Sequence, residues 1–129
     1  MLVSEEMNRI HNSSNPYQGK FKRVLCVCSA GLLRSPTAAL VLSQEPFGFN
    51  TRSAGIEDDF ALIPVDRVLV EWADQIVCMT IHHREELRER YPEADAKIVV
   101  LDIDDNYEYC DPELMKQIAE KYRALEDKV

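Results

Sequence analysis

This sequence predicts an α/β fold, a single domain built on an open, parallel, four-stranded sheet with helices on both faces, and three observations predict it. Its 129 residues, 46% hydrophobic and 29% charged, suffice for one ordinary core and are too few for two. Short apolar runs recur at 24–27, 76–79 and 98–101, and the segments between them place apolar residues at helical spacing. Strands that alternate with helices imply parallel pairing with both faces covered, because each connection has to cross over the sheet.

Residues 1–20 stand outside this pattern. They are rich in Asn, Ser, Glu and Gln with little periodicity, which predicts an N-terminal extension, a mobile arm or a short added helix, ahead of a domain at 21–129. The first strand is expected at about 22–27, where Val24-Leu25-Cys26-Val27 is unbroken apolar sequence. After a loop, a helix is expected at about 35–45, with Pro36 in its first turn, where a missing N–H costs nothing. The second strand is placed at about 48–53, and a linking segment leads on to Ile63. Val65, Val68, Leu69 and Trp72 then recur at helical spacing, Gln75 to Met79 reads as a buried strand, and Thr80 opens a charged helix reaching about Tyr91. Lys97-Ile98-Val99-Val100-Leu101 supplies the fourth strand. Beyond an acidic loop, Asp111-Pro112 starts a last helix on which Leu114, Ile118, Tyr122 and Leu125 make one apolar face.

Charge and composition exclude several classes of function. With 23 acidic against 15 basic residues the formal charge is −8, and no dense basic cluster interrupts it, so nucleic acid is not an expected partner. The same field opposes the approach of an anionic substrate, and a phosphate pocket has to act as a local exception. No apolar run approaches the roughly 18 residues of a membrane span. The start, Met1-Leu2-Val3-Ser4-Glu5-Glu6, lacks the basic-then-apolar pattern of a secretory signal. The expected setting is soluble and cytoplasmic, with no membrane partner. Cys26 and Cys28 lie two apart on an extended strand, about 6.6 Å between Cα atoms, which strains a disulfide; reduced thiols are expected.

One loop carries the chemistry. In Cys28-Ser29-Ala30-Gly31-Leu32-Leu33-Arg34-Ser35 a cysteine precedes an arginine by six positions, between the end of the first strand and the start of the first helix. Ligands of open α/β sheets bind beyond the carboxyl ends of the strands, and a helix start offers free amides and a positive dipole end. A loop that turns the amides of Ser29, Ala30, Gly31, Leu32 and Leu33 inward, with the planar fork of Arg34 converging on the same point, suits a tetrahedral dianion. Gly31 can take the left-handed backbone that such a loop asks for. The Gly-Lys signature of a nucleotide-binding P-loop is missing, since Leu-Leu-Arg follows Gly31. A free thiol titrates at about 8.5, and a helix start with a guanidinium beside it favours thiolate, so Cys28 is the expected nucleophile.

These residues carry a family resemblance. CSAGLLRSP resembles the active-site loop, Cys-x5-Arg-Ser-Pro, of the low-molecular-weight protein tyrosine phosphatases. Arg52-Ser53-Ala54-Gly55 is similar to that family's second-strand signature, and Trp72-Ala73-Asp74-Gln75-Ile76 to its third-strand entry. Leu101-Asp102-Ile103-Asp104-Asp105-Asn106-Tyr107 resembles the loop that carries its catalytic acid. The resemblance spans about residues 22–125 in the right order, and the short form with Asp-Pro-Glu-Leu near its end resembles a compact bacterial branch of predicted tyrosine phosphatases.

The resemblance implies a phosphotyrosine phosphatase I-like fold. It also implies hydrolysis of phosphotyrosine, in proteins or small aryl phosphates, through a phosphocysteine intermediate, with phosphate as product or inhibitor and no cofactor or metal. Cys28 would attack phosphorus, Arg34 would clamp two phosphoryl oxygens, and Ser35 would hydrogen-bond the sulfur. Asp105 would protonate the leaving oxygen and then activate water, and Tyr107 would stack on an aromatic leaving group. The chain departs from the family where Ala30-Gly31 replaces Gly-Asn, where Asp105-Asn106 replaces Asp-Pro, and where Leu33 replaces a frequent second cysteine. Without that cysteine no intraloop disulfide protects Cys28 from over-oxidation. About one helix is missing between Ser53 and Trp72, so substrate specificity does not carry over.

Asp111 is the alternative acid, since it precedes a proline, but Asp111-Pro112-Glu113-Leu114 also reads as a helix N-cap with a first-turn proline. Asp104 is a further rival. Cys26, Cys78 and Trp72 read as core, Cys110 as a loop thiol at no fixed distance from Cys28, Tyr109 as a half-buried ring and His82-His83 as a solvated pair. Glu57-Asp58-Asp59-Phe60 fits either a pocket rim, with Phe60 against a substrate ring, or a solvated acidic turn. Two other functions compete: arsenate reduction on the same scaffold, for which Cys78 and Cys110 are widely spaced at 32 positions, and a non-catalytic phosphate or phosphotyrosine-binding module, which would need no acid.

Overall fold

The computed structural model describes residues 21–29, 34–57, 61, 63–104 and 108–127. The expected extension at 1–20 lies outside the described residues, as do Ala30, Gly31, Leu32, Leu33, Asp58, Asp59, Phe60, Asp105, Asn106 and Tyr107. Strand β1 (Arg23–Cys28) leads to helix α1 (Arg34–Ser43), β2 (Asn50–Gly55), α2 (Arg67–Trp72) and β3 (Gln75–Cys78). Helix α3 (Ile81–Arg90), a 3-10 turn (Pro92–Lys97), β4 (Ile98–Val100) and α4 (Pro112–Asp127) complete the order.

Among the described residues all strand pairings are parallel, in the order β2-β1-β3-β4. Because β1 lies between β2 and β3, the strand order reverses beside β1, and the crevice of an open α/β sheet opens at its carboxyl end. Cys28 is the last residue of that strand, paired with Gly55. The alternation of β1 sends Leu25 and Val27 to one face and Val24, Cys26 and Cys28 to the other. Leu69, Trp72 and Leu87 from α2 and α3 cover the first face. The second is covered by Ala38 and Leu42 of α1 with Leu114, Ile118 and Tyr122 of α4, the last three being the apolar stripe that the sequence predicts.

The second strand begins two residues later than its apolar residues suggest. Gly48 turns the chain at a φ of 65°, and Phe47 and Phe49 pack edge-on against Tyr122, with centroids 5.5 Å away in both cases. These two rings serve the far end of the core instead of the ladder. There Tyr122 Oη donates to Gln75 Oε1 at 2.6 Å and accepts from Lys22 Nζ at 3.2 Å. Helix α3 is charged as expected and buries only His83 and Leu87, one turn apart. Among the described residues no helix is long and apolar enough to cross a membrane.

Candidate active site

Cys28 is 3% exposed at the end of β1, and Sγ lies 3.2 Å from Ser35 Oγ in the first turn of α1. Ser35 in turn donates to the Ala54 carbonyl of β2 at 3.4 Å, so strand, helix and neighbouring strand fix the sulfur's surroundings together. The ladder continues past the strand ends, with Ile56 N–H on the Cys28 carbonyl and Glu57 N–H on the Ser29 carbonyl, each at 2.9 Å. Arg34 begins α1 and is 4% exposed. A buried guanidinium must be hydrogen-bonded, and Nη1 donates to the Ile103 carbonyl at 2.9 Å.

That bond reaches the segment expected to carry the acid. Beyond β4 the chain turns at Asp102, whose φ is 62° and whose carbonyl accepts from Lys121 Nζ. It passes through buried Ile103 to exposed Asp104. On the far side, Cys110 N–H donates to Thr37 Oγ1 of α1 at 2.9 Å. Both flanks of residues 105–107 are therefore tied to the helix that Arg34 and Ser35 begin. Asp111 accepts the Glu113 amide on Oδ1 at 2.9 Å and the Met115 amide on its carbonyl at 2.9 Å, the arrangement of an N-cap on α4.

Two readings of single residues change. His83 is not a solvated partner of His82: it is 1% exposed, with Nε2 at 3.0 Å from Ser29 Oγ and the Thr80 amide donating to Nδ1 at 3.2 Å. Its signal was present as Thr80-x-x-His83, capping-box spacing with a histidine in place of the usual Glu or Gln. Tyr109, read as half-buried, is 54% exposed. Trp72, Cys26 and Cys78 are core, and Glu57 is exposed at the site's edge. No group of three or more His, Cys, Asp or Glu side chains suited to a metal occurs among the described residues.

No protein-family model matches the sequence. A protein-arginine-phosphatase from Geobacillus stearothermophilus is 30% identical over 101 residues, covering 61% of this chain and 68% of the relative. The chain belongs to the low-molecular-weight protein tyrosine phosphatase family. Solved structures of that fold agree over most of the domain. Vibrio vulnificus Wzb in complex with benzylphosphonate superposes at a TM-score of 0.66 with 24% identity, over 84% of this chain and 99% of Wzb. The low-molecular-weight protein tyrosine phosphatase from T. tengcongensis superposes at 0.62 with 20% identity, over 84% of this chain and 99% of its own. As a family member the chain is a phosphatase working through an active-site cysteine.

Proposed function

We propose that Cys28 is that cysteine and that the enzyme hydrolyses phosphotyrosine, in proteins or as small aryl phosphates. The observation that carries this is the junction of β1 and α1. There Cys28 Sγ lies against Ser35 Oγ, and the buried Arg34 begins the helix, at the sheet's switch point. Sulfur attacks phosphorus, the S–P bond forms as the P–O bond to the aryl group breaks, and the leaving oxygen takes a proton from Asp105. Water then attacks the phosphocysteine, Asp105 accepts its proton, and phosphate leaves with the thiol restored. Arg34 holds phosphoryl oxygens in its planar fork, and the Ser35 hydroxyl faces the sulfur as it becomes a leaving group. Ser29, Ala30, Gly31, Leu32 and Leu33 are the candidates to supply amides to the phosphoryl group, and Tyr107 is the candidate to stack on an aromatic leaving group. Asp105 is favoured over Asp111 by the N-cap role of Asp111 and by the bond from Arg34 to Ile103, two positions before Asp105. The four thiols suit a reducing cytoplasm.

A second substrate class has one specific support, the arginine phosphatase relative. Phosphoarginine would use the same sulfur and arginine, with the P–N bond breaking and the proton going to guanidine nitrogen. The test is release of phosphate, in EDTA, from a phosphotyrosine peptide and from a phosphoarginine peptide, with wild type and Cys28→Ser. Turnover of the tyrosine substrate that disappears in the variant is the expected result. Preferential turnover of phosphoarginine would reassign the substrate, and activity surviving in Cys28→Ser would remove the nucleophile.

A further inference from the structure

We propose that His83 is a positioning residue for the phosphate loop, holding Ser29, the neighbour of Cys28, through its Nε2–H; this rests on reading the Cys28 loop as the phosphate site. The ring sits at N3 of α3, separated from the loop in the chain by α1, β2, α2 and β3 and lying 54 positions from Ser29. Its tautomer follows from its partners. The Thr80 backbone amide can only donate, and it points at Nδ1 at 3.2 Å, so Nδ1 carries the lone pair and the proton is on Nε2. The Thr80 hydroxyl lies 3.2 Å from the same nitrogen. Nε2–H then donates to Ser29 Oγ across 3.0 Å, and the hydroxyl's own proton is turned away from the ring.

Ser29 is thereby held from both flanks of β1. Its carbonyl accepts the Glu57 amide, which follows β2, at 2.9 Å, while its side chain is held by α3, which follows β3. The Cys28 carbonyl is fixed by Ile56 at 2.9 Å. The peptide joining nucleophile to loop has little freedom to rotate, and an anion-binding loop works only while successive amides aim at one point. An error of about 1 Å in such a site can cost about a hundredfold in rate. A helix cap would use Nδ1 alone. The second bond, from a buried ring to the residue beside the nucleophile, is what a cap does not need.

The two nitrogens can be separated by substitution. His83→Asn places an amide near the Nδ1 position and stops short of Ser29, whereas the His83→Gln amide reaches the Nε2 position. Expected for His83→Asn is a loss of about tenfold in kcat/KM on an aryl phosphate and a similar weakening of inorganic phosphate binding, with most of both recovered in His83→Gln. Ser29→Ala should lose as much, and the double variant Ser29→Ala/His83→Asn should be no worse than either single one, because the pair acts as a unit. Wild-type rates and phosphate affinity in a folded His83→Asn, or losses that multiply in the double variant, would overturn the proposal. Phosphate binding is measured without turnover. A wild type that binds phosphate and hydrolyses no phosphomonoester would therefore refute the catalytic assignment, and the phosphate affinities of the variants would still decide the role of His83.

Discussion

The four thiols differ in their surroundings, and two of them are sealed in the core. Cys26 and Cys78 are fully buried between sheet and helices. Burial holds the Cys26 thiol far above its ordinary value, the neighbouring Cys78 and Cys28 adding to the effect, and burial pushes Cys78 up to about 12 against a smaller opposing pull from Arg84. Both stay protonated and shielded, so iodoacetamide on the folded protein should spare them while the part-exposed Cys110 reacts. Peptide mass spectrometry finding Cys26 or Cys78 labelled ahead of Cys110 would contradict this. For the acid, Asp105→Asn should cost about a hundredfold or more in kcat. Asp111→Asn should leave turnover near wild type, since asparagine caps a helix as well as aspartate does. Collapse of the second variant with the first nearly intact would exchange the assignments. The approach of Ser35 to Cys28 was legible because both lie at the ends of one short loop of the chain. The burial of His83 was not, because an exposed and a buried histidine are spelled alike on a helix with so few apolar residues.

At the scale of elements, β1 and β3 are latched where they enter the sheet. The Arg23 amide donates to Asp74 Oδ2 at 2.9 Å, the Arg23 guanidinium reaches Oδ1 at 3.2 Å, and the Asp74 amide returns a bond to the Arg23 carbonyl at 2.8 Å. Partial burial works against ionisation of Asp74, but the bonds and charge of Arg23 outweigh it and hold the carboxyl below its ordinary value of 3.8. A carboxyl depressed on folding contributes stability that is full above the ordinary value and is lost as pH falls through the lower, folded one. Asp74→Asn should therefore destabilise at neutral pH, with the gap to wild type closing in that acid window; urea melts showing a constant gap would contradict the latch. Lys97 braces the same region, donating to the Val70 and Ala73 carbonyls at 2.6 and 2.7 Å and so capping the end of α2. Strands β1, β3 and β4 were readable because buried parallel strands are continuous apolar runs, whereas β2, Asn-Thr-Arg-Ser-Ala-Gly, is not such a run. The late start of β2 was not, since the rings of Phe47 and Phe49 look equally suited to a strand or to the aromatic contact with Tyr122.

At the scale of the whole molecule, a chain of formal charge −8 acts on a phosphorylated substrate. Repulsion between like charges is longest in range at low ionic strength. Adding sodium chloride from a low-salt buffer should raise kcat/KM for a small aryl phosphate by a small factor with kcat little changed. A steady fall would mean that the local field of the Arg34 loop dominates the encounter. The amino-acid sequence by itself determined the alternation of strands and helices, hence the parallel sheet, and the Cys28–Arg34 loop at a strand-to-helix junction, because periodicity and loop spacing are local. Strand order and the contacts across it were decided only in three dimensions. Arg34 meets Ile103 from 69 positions away, Thr37 meets Cys110 from 73, and Ser29 meets His83 from 54. Those meetings depend on β1 lying between β2 and β3, an order set by burying both faces of the sheet at once.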